Sequence, residues 1–243
     1  MLSRRLDWTM IVATPWLDAL RTHLAAVQKG GGEDDVHQLR VATRRIASWL
    51  RLGRVRILRA DLRRVRAAGG EVRDVDVMMA QSPPEPLAGW LHGERARRHD
   101  SLLKIAAAPR TAAMCDALAL LAPIDESRAR ESVPRLARRA LDSGDALQLA
   151  PNDVECFHRL RRSVRGLRYA LEWLEEKTGA FKEFQDLSGS GADLSVALLL
   201  LDAFPDAAAL ADYRRRLEEE FAARRIESVG AWPGLRQVIE AFA

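Results

Sequence analysis

Val36-His37-Gln38-Leu39-Arg40-Val41-Ala42-Thr43-Arg44-Arg45-Ile46 is the stretch that decides how the chain is read. At about 100° per residue on an α-helix, His37, Arg40, Arg44, Ser48 and Arg51 share one arc. Leu39, Ala42, Ile46, Trp49 and Leu50 fall on the opposite side. One face is built for burial and the other carries guanidinium groups in a row. The pattern returns 121 residues later, from His37 to His158, in Phe157-His158-Arg159-Leu160-Arg161-Arg162-Ser163-Val164-Arg165-Gly166-Leu167-Arg168-Tyr169. There His158, Arg161, Arg165 and Tyr169 share an arc, with Arg162 and Arg168 at its edges. Two copies of one stripe indicate an internal repeat.

Outward from the stripes, apolar residues recur three and four apart, and no convincing strand alternation is found, so the fold class is all-α. Thr14-Pro15 starts a helix that Gly30-Gly31-Gly32 stops. Glu33, Asp34 and Asp35 open the His37 helix at the positive end of its dipole. Helices are expected over residues 57–68, ended by Gly69-Gly70, and over 72–81, 87–107 and 110–121. In the second half they are expected over 125–149 with a break at Pro134, over the His158 stretch, and over 181–187, stopped by Ser188-Gly189-Ser190-Gly191. Three more follow over 194–204, 207–228 and 234–242. The halves divide near Pro123, giving helical bundles over residues 1–122 and 123–243 of one domain. The parallel extends past the stripes at an offset of 119, with Arg63 matching Lys182, Arg66 matching Gln185 and Asp74 matching Asp193.

The net charge of +4 hides an asymmetry. Only Lys29, Lys104, Lys177 and Lys182 among the 38 basic residues are lysine, and arginine's planar fork suits phosphate oxygens better than a point charge does. Codon bias accounts for arginine excess equally well, so composition by itself says nothing of phosphate. Position says more: ten arginines stand against the single acid Asp61 between Val36 and Ala68, a local positive field. The Arg214–Glu227 segment, by contrast, interleaves Glu218, Glu219, Glu220 and Glu227 with its arginines as a solvated helix face does. Two cysteines, Cys115 and Cys156, exclude a disulfide framework and a four-cysteine zinc site, and point to a reducing, cytoplasmic setting. Arg4 and Arg5 followed by Asp7 and Pro15 make a poor secretory leader. No run approaches the ~20 apolar residues of a membrane span, so no membrane partner is expected.

The first half carries His37-x-x-Arg40-x-x-x-Arg44-Arg45 and then Val72-Arg73-Asp74-Val75-Asp76; the second carries His158-x-x-Arg161-x-x-x-Arg165-x-x-Arg168-Tyr169 and then Lys182-x-x-Gln185-Asp186-Leu187. These motifs, in this order and over essentially the whole chain, resemble the conserved histidine α-helical domain (CHAD) family. The resemblance implies two pseudo-two-fold-related four-helix bundles that bind inorganic polyphosphate in a basic groove between them, with association to polyphosphate granules. Some members of the family are fused to a triphosphate-tunnel enzyme whose Glu-x-Glu-x-Lys motif is absent here, so the chain resembles the non-catalytic binding module alone. Ala47 and Gly166 stand where the family pattern is basic, Ala192 stands opposite Arg73, and Ser188 to Gly191 depart from the usual loop. The second wall is therefore thinner, and the His37 side is expected to carry more of the binding.

The expected polyphosphate ligands are His37, Arg40, Arg44, Arg45, Arg51, Arg63, Arg66 and Arg73 from the first half, with His158, Arg161, Arg162, Arg165, Arg168, Tyr169 and Lys182 from the second. A flexible strand of charge with no bases to read needs a long track of cationic donors. Arginines at i, i+4 and i+7 supply one roughly every 6 Å, through strong charge-assisted contacts and with release of condensed counterions. Each histidine is expected to donate to phosphate and gain charge near pH ~6.5 or below. Asp74 and Asp193 are expected at helix starts, in structural roles that cap or orient nearby arginines. No catalytic grouping, cofactor loop or metal cluster stands out: His92-Gly93-Glu94 lacks the preceding arginine and strand of a histidine phosphatase, and His99-Asp100 lacks the partner ligands of an HD phosphohydrolase. Two other classes stay open. One is a metal-dependent polyphosphate or phosphoester hydrolase using acids near the stripes. The other is RNA binding, which suits the charge but lacks aromatic platforms for stacking bases.

Overall fold

The computed structural model describes residues 10–243; Arg4, Arg5 and Asp7 lie outside the described residues. A two-residue antiparallel ladder joins β1 (Met10–Ile11) to β2 (Ile124–Asp125), and the other regular elements described are helical. Among the described residues no helix is long and apolar enough to cross a membrane.

Helices α1 (Thr14–Gln28), α2 (Glu33–Leu52), α3 (Arg59–Met79) and α4 (Glu85–Ala106) form the first bundle, each packing on the next and α4 returning to α1. The short α5 (Pro109–Ala119) leans on α1 and α3, and α6 (Glu126–Arg130) links the halves. The second bundle repeats the cycle with α7 (Val133–Leu149), α8 (Val154–Trp173), α9 (Gly179–Ala203) and, after a 3₁₀ turn at Ala207–Leu210, α10 (Ala211–Glu240). The bundles meet where α2 lies on α8 and α3 on α9, so the two basic helices are neighbours across a pseudo-two-fold.

Local chemistry explains most boundaries. Prolines occupy the first turns of α1, α4, α5 and α7, where a missing N–H costs nothing. The Asp153 carboxylate caps α8, accepting from the Glu155 and Cys156 amides at 2.8 and 3.1 Å. The apolar arcs are buried as their spacing demands: Leu39, Ala42, Ile46, Trp49 and Leu50 on α2, and Phe157, Leu160, Val164 and Leu167 on α8. Trp49 also donates its indole N–H to the Ile11 carbonyl at 3.0 Å, which fixes β1 against the first bundle.

Three expected breaks are absent. Helix α3 runs unbroken through Gly69-Gly70, and α9 through Ser188 to Gly191. A helical glycine costs about 1 kcal/mol against alanine, too little to break a helix packed on its neighbours. Arg40 of α2 passes Gly69 and Arg161 of α8 passes Gly189 at ordinary van der Waals range, 3.4 and 3.5 Å from where a Cβ would stand, and of these glycines Gly191 alone is tight, at 3.1 Å from the Phe157 ring. Asp74 and Asp193 consequently sit in helix interiors and cap nothing. The third break was expected near Pro233, yet α10 continues through it. Proline leaves the carbonyl four residues back without its donor; that carbonyl, on Val229, accepts from the Gln148 side chain of α7 at 3.0 Å. The break expected at Pro134 falls just before it, at Glu131 and Ser132 between α6 and α7, and Pro134 itself sits in the first turn of α7.

Trp232, next to that proline, is buried and packs closely on Gly144 of α7, where an added Cβ would stand 1.9 Å from the indole. Gly144→Ala should therefore destabilise the fold by about 1–3 kcal/mol or more despite its gain in helix propensity, read as a lower midpoint in urea unfolding. An unchanged midpoint would mean that α7 and α10 are not packed this closely.

Candidate anion-binding site

The two stripes share a repeated bracket. Arg40 leaves α2, lies across Gly69 and Gly70 of α3, donates to the Gly70 carbonyl at 3.1 Å and comes within 3.6 Å of Asp74, one turn further on. Arg161 leaves α8, lies over Gly189 of α9 and is attracted by Asp193, again one turn further on. Each guanidinium lies along the neighbouring helix in ordinary contact with its glycines, and the aspartate orients it. Both carboxyls titrate above the ordinary carboxylate range, chiefly through burial, with Arg40 and Arg161 respectively the largest opposing influence.

Past this bracket, a cavity of about 480 Å³ opens between the halves. Arg40, Arg44 and Arg51 of α2 line it with Arg59 and Arg66 of α3, Arg135 and Arg139 of α7, and Arg159, Arg162 and Arg165 of α8. Leu136, Ser163, Gly166 and Tyr169 complete the wall, which contains no acid. Burial pushes the Arg40 and Arg51 guanidinium groups down to about 10 and Arg165 to about 9, and neighbouring arginines add to each shift. All three remain charged at neutral pH, so the cavity keeps its field. Among the described residues, Arg44, Arg51, Arg66, Arg135, Arg139 and Arg165 have no carboxylate within 4.0 Å. Clustered, partly desolvated like charges without counter-charges are unfavourable in the free protein, and an anion relieves them.

Other expected ligands stand elsewhere. Arg45 of α2 is paired with Glu172 of α8, which also holds Arg168 at 3.1 Å. The two guanidinium groups lie 4.6 and 5.0 Å from the centre of the Tyr169 ring, and Trp173 donates to the Arg45 carbonyl at 3.2 Å. Arg45 and Arg168 are thus members of a clamp between α2 and α8, outside the cavity wall. Arg73 is paired with Glu33, and Arg162 reaches Glu155 at 2.5 Å from the cavity's edge. Arg63 lines a small adjoining cavity of about 150 Å³ with Ala47, Arg51, Arg59 and Arg66, while Lys182 is exposed and lines neither.

The histidines also sit off the wall. His37 is exposed on the first turn of α2. His158 is half-buried against Phe157, with Nε2 at 3.2 Å from the Ser195 hydroxyl. That hydroxyl donates to the Ala192 carbonyl, so His158 Nε2–H donates to Ser195. Both rings are held below the ordinary histidine value, first by burial and then by arginines: Arg73, Arg44 and Arg40 around His37, and Arg162 and Arg161 around His158.

Arg59, Arg135, Arg139 and Arg159 are on the wall but escaped the sequence reading. The available signal on α7 is Arg135 and Arg139 at i and i+4, opposite the buried Ala137 and Ala140, a pattern that an exposed helix face produces just as well. No group of three or more His, Cys, Asp or Glu side chains among the described residues is placed to hold a metal ion.

This helical architecture defines the class. The CHAD domain family model matches residues 12–202, and the chain belongs to that family. The fold is similar to that of the CHAD domain from the plant Ricinus communis, with TM-score 0.74 and 20% identity over 95% of this chain and 89% of the other. It is also similar to PptA from Streptomyces chartreusis, with TM-score 0.57 and 16% identity over 96% of this chain and 100% of the other. No curated protein matches the sequence.

The histidine environments set a sign. Both imidazoles should titrate below 6.5 in an NMR titration of the free protein. A bound anion raises their pKa, so affinity for a polyanion should be flat from pH 8 to 7 and increase as pH falls through the free-state values. A free-state midpoint above 6.5 for either ring would contradict the environment described.

Proposed function

We propose that this chain is a non-catalytic inorganic polyphosphate-binding module, and that the arginine-lined cavity between its halves holds the anion. The observation that carries the reading is the wall itself: guanidinium groups from four helices and both halves around one space, with no acid among them. Phosphate oxygens satisfy such a donor set bidentately, and displaced counterions add a favourable entropy. Tyr169 is the one aromatic ring on the wall and is already engaged by the Arg45 and Arg168 guanidinium groups, so the wall offers no row of platforms for stacking bases. Membership of the CHAD family supports the same ligand, and association with polyphosphate granules in the cytoplasm is part of the same proposal.

Binding should be measured by calorimetry against long-chain polyphosphate over a series of salt concentrations. Arg44→Ala combined with Arg165→Ala should weaken affinity by about tenfold or more and reduce the slope of log K against log salt by roughly 2, one for each lost contact. Arg45→Ala should lower stability and leave that slope unchanged, because Arg45 answers Glu172. If both variants changed the slope equally, the wall would not be the binding surface. Incubation with magnesium or manganese supplies the opposing outcome: shortening of the polyphosphate chain would replace the module by a hydrolase.

A further inference from the structure

The duplication is not faithful around the cavity. At the 121-residue offset that carries His37 to His158, Arg45 corresponds to Gly166, and Arg51 corresponds to Glu172. Gly166 lines the cavity, and a Cβ there would meet nothing within 4 Å. On this side α8 contributes open space where its repeat partner carries an arginine.

Helix α7 faces that space. Its Arg135 and Arg139 line the cavity, and with Arg138 and Asp142 they also line a shallow depression of about 470 Å³ on the outer side. At the same offset α1 carries Thr14 and Asp18, and its single arginine, Arg21, is turned to Asp116 at 3.4 Å. The α7 arginines therefore have no counterpart in the first half. Arg51 and Arg59 approach from the opposite side of the wall. Burial first, and then the charges of Arg66, Arg59, Arg139 and Arg135, hold Arg51 near 10. Arg135, Arg138 and Arg139 are exposed, and none has a carboxylate within 4.0 Å among the described residues.

We propose that the α7 face bearing Arg135, Arg138 and Arg139 is a second anion subsite, which takes the phosphates of a polyphosphate chain as it leaves the central cavity past Gly166. This rests on the polyphosphate reading above and adds a route to it. A chain longer than the cavity must emerge somewhere. The His37 and His158 ends of the stripes are partly neutralised, Arg73 by Glu33 and Arg162 by Glu155. The α7 end has unpaired guanidinium groups on both sides of the cavity wall. On the cavity wall α8 supplies Arg159, Arg162 and Arg165, as many as the three that α2 supplies, so the wall is not thinner on the second side; Arg135 and Arg139 extend it toward α7 as Arg59 and Arg66 extend it toward α3. Asp142, the lone acid of the outer depression, opposes the anion there.

The test is calorimetry of the full chain with long-chain polyphosphate at several salt concentrations, on Arg138→Ala and, separately, on Asp142→Asn, two positions of the outer depression that are not on the cavity wall. Both positions tolerate substitution, Arg138 and Asp142 being exposed, and circular dichroism with urea unfolding checks that the fold is kept. Arg138→Ala should lose about tenfold in affinity and lower the salt slope by roughly 1. Asp142→Asn should bind more tightly than the parent chain. Parent-like affinity and slope in Arg138→Ala, with no gain in Asp142→Asn, overturns the subsite while leaving the cavity reading intact. Absence of binding by the parent chain overturns the cavity reading itself.

Discussion

Like charges do not gather on their own, and the arrangement of this molecule follows from that constraint. Ten guanidinium groups surround one cavity without an acid on its wall, so the attraction holding them there must come from elsewhere. Most of it is apolar. The buried faces of α2 and α8 hold Leu39, Ile46, Trp49, Phe157, Leu160 and Leu167 at almost no exposure, and burial of that kind is worth about 1.5–3 kcal/mol for each large side chain. The rest is the clamp, in which Glu172 draws Arg45 and Arg168 together around Tyr169 and ties one bundle to the other. Carboxylates stand just outside the cavity, where they orient arginines without cancelling the field inside.

Duplication explains why the acids stand where they do. Each half brings a basic helix, a glycine-bearing helix beneath it and an aspartate one turn beyond the glycine. Arg40, Gly70 and Asp74 form one set; Arg161, Gly189 and Asp193 form the other. The halves then diverge at equivalent positions: Arg51 faces the cavity while Glu172 serves the clamp, and Arg45 serves the clamp while Gly166 leaves room. Each basic helix thus serves both the cavity and the clamp, and the two copies divide the clamp between them, α2 giving the cation Arg45 and α8 the acid Glu172.

The stripes were legible because a period of 3.6 residues separates buried from exposed sides without reference to any other helix. The all-α class and the pairing of α2 with α8 follow from that period and its repetition. The continuity of α3 and α9 was not legible, because glycine's helix penalty is small against packing that no local window contains. Arg40 crosses Gly69-Gly70 and Arg161 crosses Gly189 from other helices, and Phe157 packs closely on Gly191. Pro233 misleads likewise, since its rescue comes from Gln148, far away in sequence. At the site, Arg44 and Arg165 could be found from the repeat, whereas Arg45 lies one residue from Arg44 and turns to Glu172, a distinction set by the crossing of two helices. Arg135 and Arg139 lack a repeat partner and so carried no signal beyond charge.

The clamp also bears on how the molecule comes into being. The Trp173 bond to the Arg45 carbonyl spans 128 residues, and the Trp49 bond to Ile11 and the β1–β2 ladder tie the chain's beginning to its middle. Helical bundles owe their fast folding to local contacts, and closures of this length are the slow, entropically costly kind. The cavity wall draws on α2 and α3 from the first half and on α7 and α8 from the second, so during synthesis it is complete only once α8 has emerged and docked on α2.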